Sequence, residues 1–250
     1  MKNTANLSCF SVICGAGVLI ASIFMMQAQA ASLQVAPILL EFSPKEKVKE
    51  LWLTNTGNES IRAQVRVNEW TQVNHVDVLT PSKSLIASPV VLSIPAQQRQ
   101  LVRLIRSNTV PNNSEEAFRL IVDELPNAIT ESQNGLQVLL KYSIPVFLKV
   151  PNLTNESKEV GSLYDVHFIY SPQKLTVVNH SKDYKRFSQF SYINAQGQKT
   201  PIQQGLVGYV LSGQTMEWMI PNTVKVMPGG KFVAVVNSES NEQELPISSE

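Results

Sequence analysis

Beyond the N-terminus, no long window of this chain shows helical periodicity. Short runs of Val, Ile, Leu, Phe and Tyr recur between clusters of Asn, Gly, Pro, Ser and Lys. A run with apolar side chains at alternate positions has one oily face only when its backbone is extended. The chain is therefore expected to be all-β. In the first half the pattern predicts strands over 33–41, 48–54, 61–71, 76–79, 85–94, 98–106, 116–124 and 136–148. Asn55-Thr56-Gly57-Asn58, Pro95 and Pro111 mark turns. Strands at this spacing over about 120 residues suggest an immunoglobulin-like sandwich.

After Pro151-Asn152 a shorter, more polar β region predicts strands over 164–170, 175–179, 187–193, 208–211, 217–220 and 232–236. Gly197, Gly213 and Gly229-Gly230 supply its turns, and the tail over 238–250 is expected to be loosely ordered. The halves show no sequence repeat. The expected division is a cleaved signal peptide over 1–30, a first sandwich over 31–150 and a smaller one over 151–250. The first segment carries Lys2, an apolar run over 10–26 and the small-x-small site Ala28-Gln29-Ala30. An uncleaved anchor is the competing reading of that run. Ile13 is too bulky to precede a lipoprotein cysteine at Cys14.

Cys9 and Cys14, the only cysteines, fall in that segment, so the remainder has no disulfide and no thiol chemistry. Without disulfides, an exported protein needs a real core. No later apolar run is long enough to span a bilayer, so no stable membrane insertion is expected after cleavage. Charge is nearly balanced, with 21 basic against 20 acidic residues. That balance offers no basic field for nucleic acid.

One stretch is unusually long for a strand. In Gly135–Val150 the even positions Leu136, Val138, Leu140, Tyr142, Ile144 and Val146 form an apolar row, while Gln137, Lys141 and Ser143 point the other way. Strands usually run about five or six residues, so part of this row is expected to overhang its own core and bind another protein.

Catalytic chemistry is hard to assemble. His75, His167 and His180 lie in or beside unrelated strands and turns and read as isolated surface residues. There is no phosphate loop, nucleophile elbow or paired-carboxylate motif. No enzyme activity, metal or cofactor is expected. Arginines stand out instead. Arg106 shares the face of Val102 and Leu104 at a strand end, and Arg119 sits in Phe118-Arg119-Leu120-Ile121-Val122. A guanidinium on an apolar face needs a partner, which its fork finds best in a carboxylate. Asp123 and Glu124 could supply it internally, or the side chains could snorkel to the surface.

Several stretches together resemble the periplasmic chaperones of the chaperone–usher pilus pathway, the PapD-like family. They are Val35-Ala36-Pro37-Ile38, Leu51-Trp52-Leu53-Thr54-Asn55, Leu101-Val102-Arg103-Leu104, Phe118-Arg119-Leu120 with Glu124-Leu125-Pro126, and Tyr142-Ser143-Ile144-Pro145-Val146-Phe147. In the second half they are Gly208-Tyr209-Val210-Leu211-Ser212-Gly213 with Trp218 and Pro221.

The resemblance implies two immunoglobulin-like β-sandwich domains arranged as a boomerang. It also implies a periplasmic chaperone that binds pilus or fimbrial subunits by donor-strand complementation, prevents their aggregation and delivers them to an outer-membrane usher. Strand donation to pilins is one of the standard named cases of β-augmentation, so this mode comes with the family. By the family's motif Leu136, Val138, Leu140 and Tyr142 form the donor strand.

The best-known branch anchors the subunit's C-terminal carboxylate with an Arg and a Lys, where this chain has Pro37 and Pro145. That departure resembles the archaic branch, which implies relocation of the anchor charge. Arg106 and Arg119 are the candidates, with Lys141 and Lys149 behind them. Pro145 cannot donate a ladder bond, so it is expected to limit the region paired with the client. The competing readings are an immunoglobulin-like adhesive or structural protein of the cell surface, and a secreted hydrolase with a spatially assembled site.

Overall fold

The computed structural model describes residues 32–107, 114–126, 138–151, 163–237 and 240–248, and every regular element among them is a strand. The first sandwich comprises β1 (Leu33–Ala36), β2 (Leu40–Phe42), β3 (Val48–Asn55), β4 (Ile61–Val73), β5 (Val76–Pro81), β6 (Leu85–Ser88), β7 (Val91–Ile94), β8 (Arg99–Arg106), β9 (Glu116–Leu125) and β10 (Lys141–Leu148). One sheet has the order β1-β3-β8-β6. The other has the order β2-β10-β9-β4-β5, with β7 also on β4. Between them Leu51, Leu53, Val102 and Leu104 meet Leu120, Val122, Ile144 and Val146 in a closed core.

Two expected strands are each broken in two. Pro37 separates β1 from β2, and Pro89 separates β6 from β7, because proline has no N–H for a ladder. The first break has consequences for the whole sandwich. Before Pro37 the chain pairs antiparallel with β3 in one sheet. After it, the chain has crossed to the other sheet and pairs parallel with β10.

The second sandwich comprises β11 (Val166–Ser171), β12 (Lys174–Asn179), β13 (Lys185–Ile193), β14 (Lys199–Val210), β15 (Thr215–Met219), β16 (Lys231–Val236), β17 (Glu242–Leu245) and β18 (Ile247–Ser248). Its sheets are ordered β15-β12-β11-β18 and β14-β13-β16-β17, around a separate core that includes Phe168, Phe187, Phe190 and Phe232. Two expectations need correction here. The tail is not loosely ordered: β17 pairs with β16 and buries Leu245, and β18 lies parallel on β11. The strand expected over 208–211 is the end of the much longer β14, an edge strand whose exposed, polar middle hides the alternation.

A buried asparagine closes the same corner in each sandwich. Asn55, at the end of β3, donates to the carbonyls of Glu59 (2.7 Å) and Ile94 (2.9 Å) and accepts from the Gly57 amide (2.9 Å). Asn179, at the end of β12, donates to the carbonyls of Asp183 (2.8 Å) and Val210 (3.0 Å) and accepts from the Ser181 amide (3.0 Å). Both asparagines are fully buried, so their side-chain amides need these partners within the protein.

Candidate functional site: an open strand edge above a domain junction

β10 is held along its whole length on one side by β9, from Lys141↔Asp123 to Leu148↔Glu116. On the other side β2 reaches only Val146, Phe147 and Leu148. From Lys141 to Pro145 that edge carries no strand among the described residues. The gap follows from the crossing at Pro37, since the chain that could cover it is spent on β3. Pro145 lies where the pairing with β2 stops.

The even row of β10 divides at the same place. Ile144, Val146 and Leu148 are sealed in the core of their own sandwich. Tyr142 and Leu140 are half-buried against that core, and the Tyr142 hydroxyl donates to the Leu33 carbonyl at 2.6 Å. Val138 is 60% exposed and Leu139 43% exposed, both ahead of the regular strand. The strand expected from Leu136 therefore begins at Lys141. Leu136 itself lies outside the described residues.

Toward the other end, β4, β9 and β10 are buried on both faces. Along β4 the buried positions run Ile61, Ala63 and Val65 and then change parity to Trp70 and Gln72. One face meets the sandwich core, and the other meets the second domain. There Trp70 and Phe147 pack with Tyr184, Tyr209 and Leu211. Phe147 stacks on Tyr184 with centroids 3.7 Å apart, and Trp70 meets Tyr209 edge-on at 5.2 Å. Gln72 acts as a clasp, its amide donating to the Tyr209 carbonyl and its oxygen accepting from the Leu211 amide, both at 2.9 Å.

A polar cluster flanks these rings. Lys149 reaches Glu115 at 2.6 Å and Glu41 at 3.2 Å. The Tyr184 hydroxyl donates to Glu41 at 3.1 Å, and the Tyr184 amide to Glu115 at 3.0 Å. Burial pushes the Glu115 carboxyl up to about 7 against the pull of Lys149, and burial with Glu41 beside it raises the Tyr184 phenol. Next to the junction is a cavity of about 470 Å³ lined in part by Glu69, Trp70, Glu116 and Ser212.

The two candidate arginines do not converge. Arg119 extends from the outer face of its sheet, opposite Pro145 of β10 and Asn68 of β4. Its guanidinium lies 3.6 Å from the ring centre of Trp70 and 5.2 Å from that of Tyr209. Arg106 ends the inward-facing row of the other sheet, where Nη1 donates to the Pro44 carbonyl at 3.4 Å and the Glu116 charge is close by. A sheet stands between the two side chains, because Arg106 leaves the inner face of one sheet and Arg119 the outer face of the other. Lys141 is exposed beside Asp123 at 3.8 Å, and Lys149 is committed to the junction.

The histidines also need correction. His167 and His180 are neighbours, with ring centroids 5.2 Å apart, and His75 accompanies Glu217 at 3.6 Å across the junction. Among the described residues no group of three metal-ligating side chains forms. The aromatic junction went unrecognised in the sequence, although the parity change on β4 and the unbroken apolar run Ile144–Leu148 are its signal.

A family model, the N-terminal domain of pili and flagellar-assembly chaperones, matches residues 32–153. No curated protein matches the sequence. Among solved structures, the chain is similar to the CsuC–CsuE chaperone–tip adhesion subunit pre-assembly complex from the archaic chaperone–usher Csu pili of Acinetobacter baumannii. Identity there is 27% and the TM-score 0.65, covering 87% of this chain and 98% of that one. It shares the fold of the E. coli chaperone DraB, at 16% identity and TM-score 0.61 over 87% of this chain and 97% of that one. It also shares the fold of the Salmonella enterica SafA pilin–SafB chaperone complex, at 14% identity and TM-score 0.61 over 86% and 96%. The expected pair of immunoglobulin-like sandwiches is thus the fold of this chain.

Proposed function

Because the chain belongs to the family of pili and flagellar-assembly chaperones, we propose that it holds incomplete pilus subunits by donating the open edge of β10 to them. The observation that carries this reading is the edge over Lys141–Pro145, which no strand among the described residues covers, continued by exposed Val138. A subunit lacking its last strand has unpaired edges that invite aggregation. A parallel or antiparallel strand set against Lys141–Pro145 satisfies them, and the row Leu136, Val138, Leu140 and Tyr142 enters the subunit's groove. Burying a full aliphatic side chain is worth roughly 1.5–3 kcal/mol. Val138 gains most, because Leu140 and Tyr142 are already partly covered at home.

Arg119 is the proposed anchor for the subunit's C-terminal carboxylate, while Arg106 sits apart on the other sheet, near the Glu116 charge. In this reading the protein is of the archaic branch and is exported by the segment over 1–30. It works in the periplasm with domains over 31–150 and 151–250, and it passes its clients to an outer-membrane usher. The likeness to the Csu complex supports the branch.

Co-expression with pilus subunits followed by native mass spectrometry tests the proposal. A one-to-one complex is expected. A lone monomer beside aggregated subunits would favour an adhesive or structural protein.

A further inference from the structure

We infer that the second domain supplies part of the carboxylate anchor: Tyr209, with Trp70, holds the Arg119 guanidinium so that its N–H edge stays free for the client's carboxylate. The inference rests on the reading of Arg119 as anchor and makes the two aromatic residues positioning residues for client binding.

Arg119 is a half-buried cation with no hydrogen bond or ion pair among the described residues. Burial draws its pKa below the ordinary value, yet an arginine side chain stays protonated. Asp77 is a nearby carboxylate, but its Oδ1 accepts from Gln72 at 2.9 Å. What the cation does have is two rings. Arg119 Cζ lies over the Trp70 ring, 3.6 Å from its centre, and Tyr209 approaches at 5.2 Å. Guanidinium N–H groups lie in the plane of the group, so a ring on its face leaves the bidentate edge free.

The two rings come from different domains. Trp70 stands on β4, and Tyr209 stands near the end of β14. Their relative placement is set by Gln72, two residues along β4 from Trp70, whose amide bonds the backbone of Tyr209 and Leu211. The same strand therefore carries one wall of the anchor and fixes the other. The second domain thereby gains a direct part in recognising a chain terminus.

The test uses an extended valine–threonine octapeptide as free acid and as C-terminal amide, measured by calorimetry at low salt. Wild type should bind the acid about tenfold or more tightly than the amide, the scale of a charge-assisted pair. Arg119→Ala should bring the ratio to about one. Tyr209→Leu should bring it below about threefold, and Tyr209→Phe, which retains the ring, should restore it. General loosening of the junction would weaken both peptides and leave the ratio unchanged.

A wild type that does not distinguish acid from amide overturns the carboxylate reading and this inference with it. Loss of the ratio in Arg119→Ala but not in Tyr209→Leu leaves Arg119 as anchor and overturns the role of Tyr209. Should Tyr209→Leu not fold, NMR of the wild type decides. Trp70 and Tyr209 ring resonances that move with the acid and not the amide support the inference, and resonances unmoved by the acid overturn it.

Discussion

Val138 and Ile144 occupy the same apolar row, and an aspartate at each should have opposite consequences for the free protein. Val138 is 60% exposed and Ile144 2% exposed. In the free protein Val138→Asp removes little burial and leaves its carboxylate in water, so stability should change by no more than about 0.5 kcal/mol. Ile144→Asp forfeits about 1.5–3 kcal/mol of apolar burial and places an unpaired carboxylate in the core, which costs several kcal/mol more. Together these rival the whole stability of an ordinary domain, about 5–15 kcal/mol, so that variant should not fold. In a client's groove the order of effects changes. Val138→Asp then loses its apolar contact and desolvates its charge, about 3 kcal/mol or more, or roughly a hundredfold in affinity. Urea denaturation of the free variants and titration of a purified pilus subunit, read by native mass spectrometry, measure both quantities. A Val138→Asp protein that unfolds early, or one that captures the subunit as well as wild type, would refute the division of the row.

The remaining predictions concern the frame around that strand. Asn55→Ala should destabilise the first sandwich by about 2–4 kcal/mol, since several buried hydrogen bonds of about 1 kcal/mol each are lost together; the urea midpoint checks it. Gly230→Ala should lower the melting temperature of the second sandwich, because a Cβ there would sit 1.9 Å from the Tyr192 hydroxyl that bonds both the amide and carbonyl of Met227. Glu115 has a folded pKa near 7, above its ordinary 4.5, so between those values the native state binds the extra proton and stability falls as pH rises. The melting temperature of wild type relative to Glu115→Gln should therefore decline from pH 5 to pH 8, and a flat or rising difference would contradict the burial argument.

Much of this architecture was legible because alternation is a local signal. The strands over 48–54 and 116–124 needed only their own apolar period, and the row on β10 was visible as far as Ile144 and Val146. What stayed hidden depends on partners distant in sequence. β17 shows one apolar residue, Leu245, and exists because β16 offers it an edge. The open edge beside Lys141 is created by a chain crossing over a hundred residues earlier, at Pro37. The separation of Arg106 from Arg119 follows from which face each side chain leaves, and periodicity gave the inward face of Arg106 without showing that a sheet lies between them. The paired Asn55 and Asn179 corners share an asparagine at a strand end, a small residue two positions on and an acidic residue four positions on, too short a match to read as a repeat.

Under the proposed function, the division of β10 lets the strand be donated without unfolding its owner. Pairing with β9 fixes Lys141–Leu148 on one side, and β2 closes the lower three residues on the other. Below Pro145 the strand is further clamped between a sandwich core and the aromatic junction. The proposed donor edge is therefore already extended before any partner arrives, so little backbone entropy remains to be lost over Lys141–Pro145 on binding, where each freely ordered residue would cost about 1–2 kcal/mol. Val138–Leu140 lie outside the regular strand, and their ordering cost is the part that binding must still meet. Affinity should accordingly respond more to stiffening that short lead-in than to strengthening the strand itself. A β-branched substitution at Leu139, whose side chain is 43% exposed, should tighten client binding if its backbone becomes extended in the complex. An unchanged affinity for Leu139→Val would mean that pairing ends at Lys141.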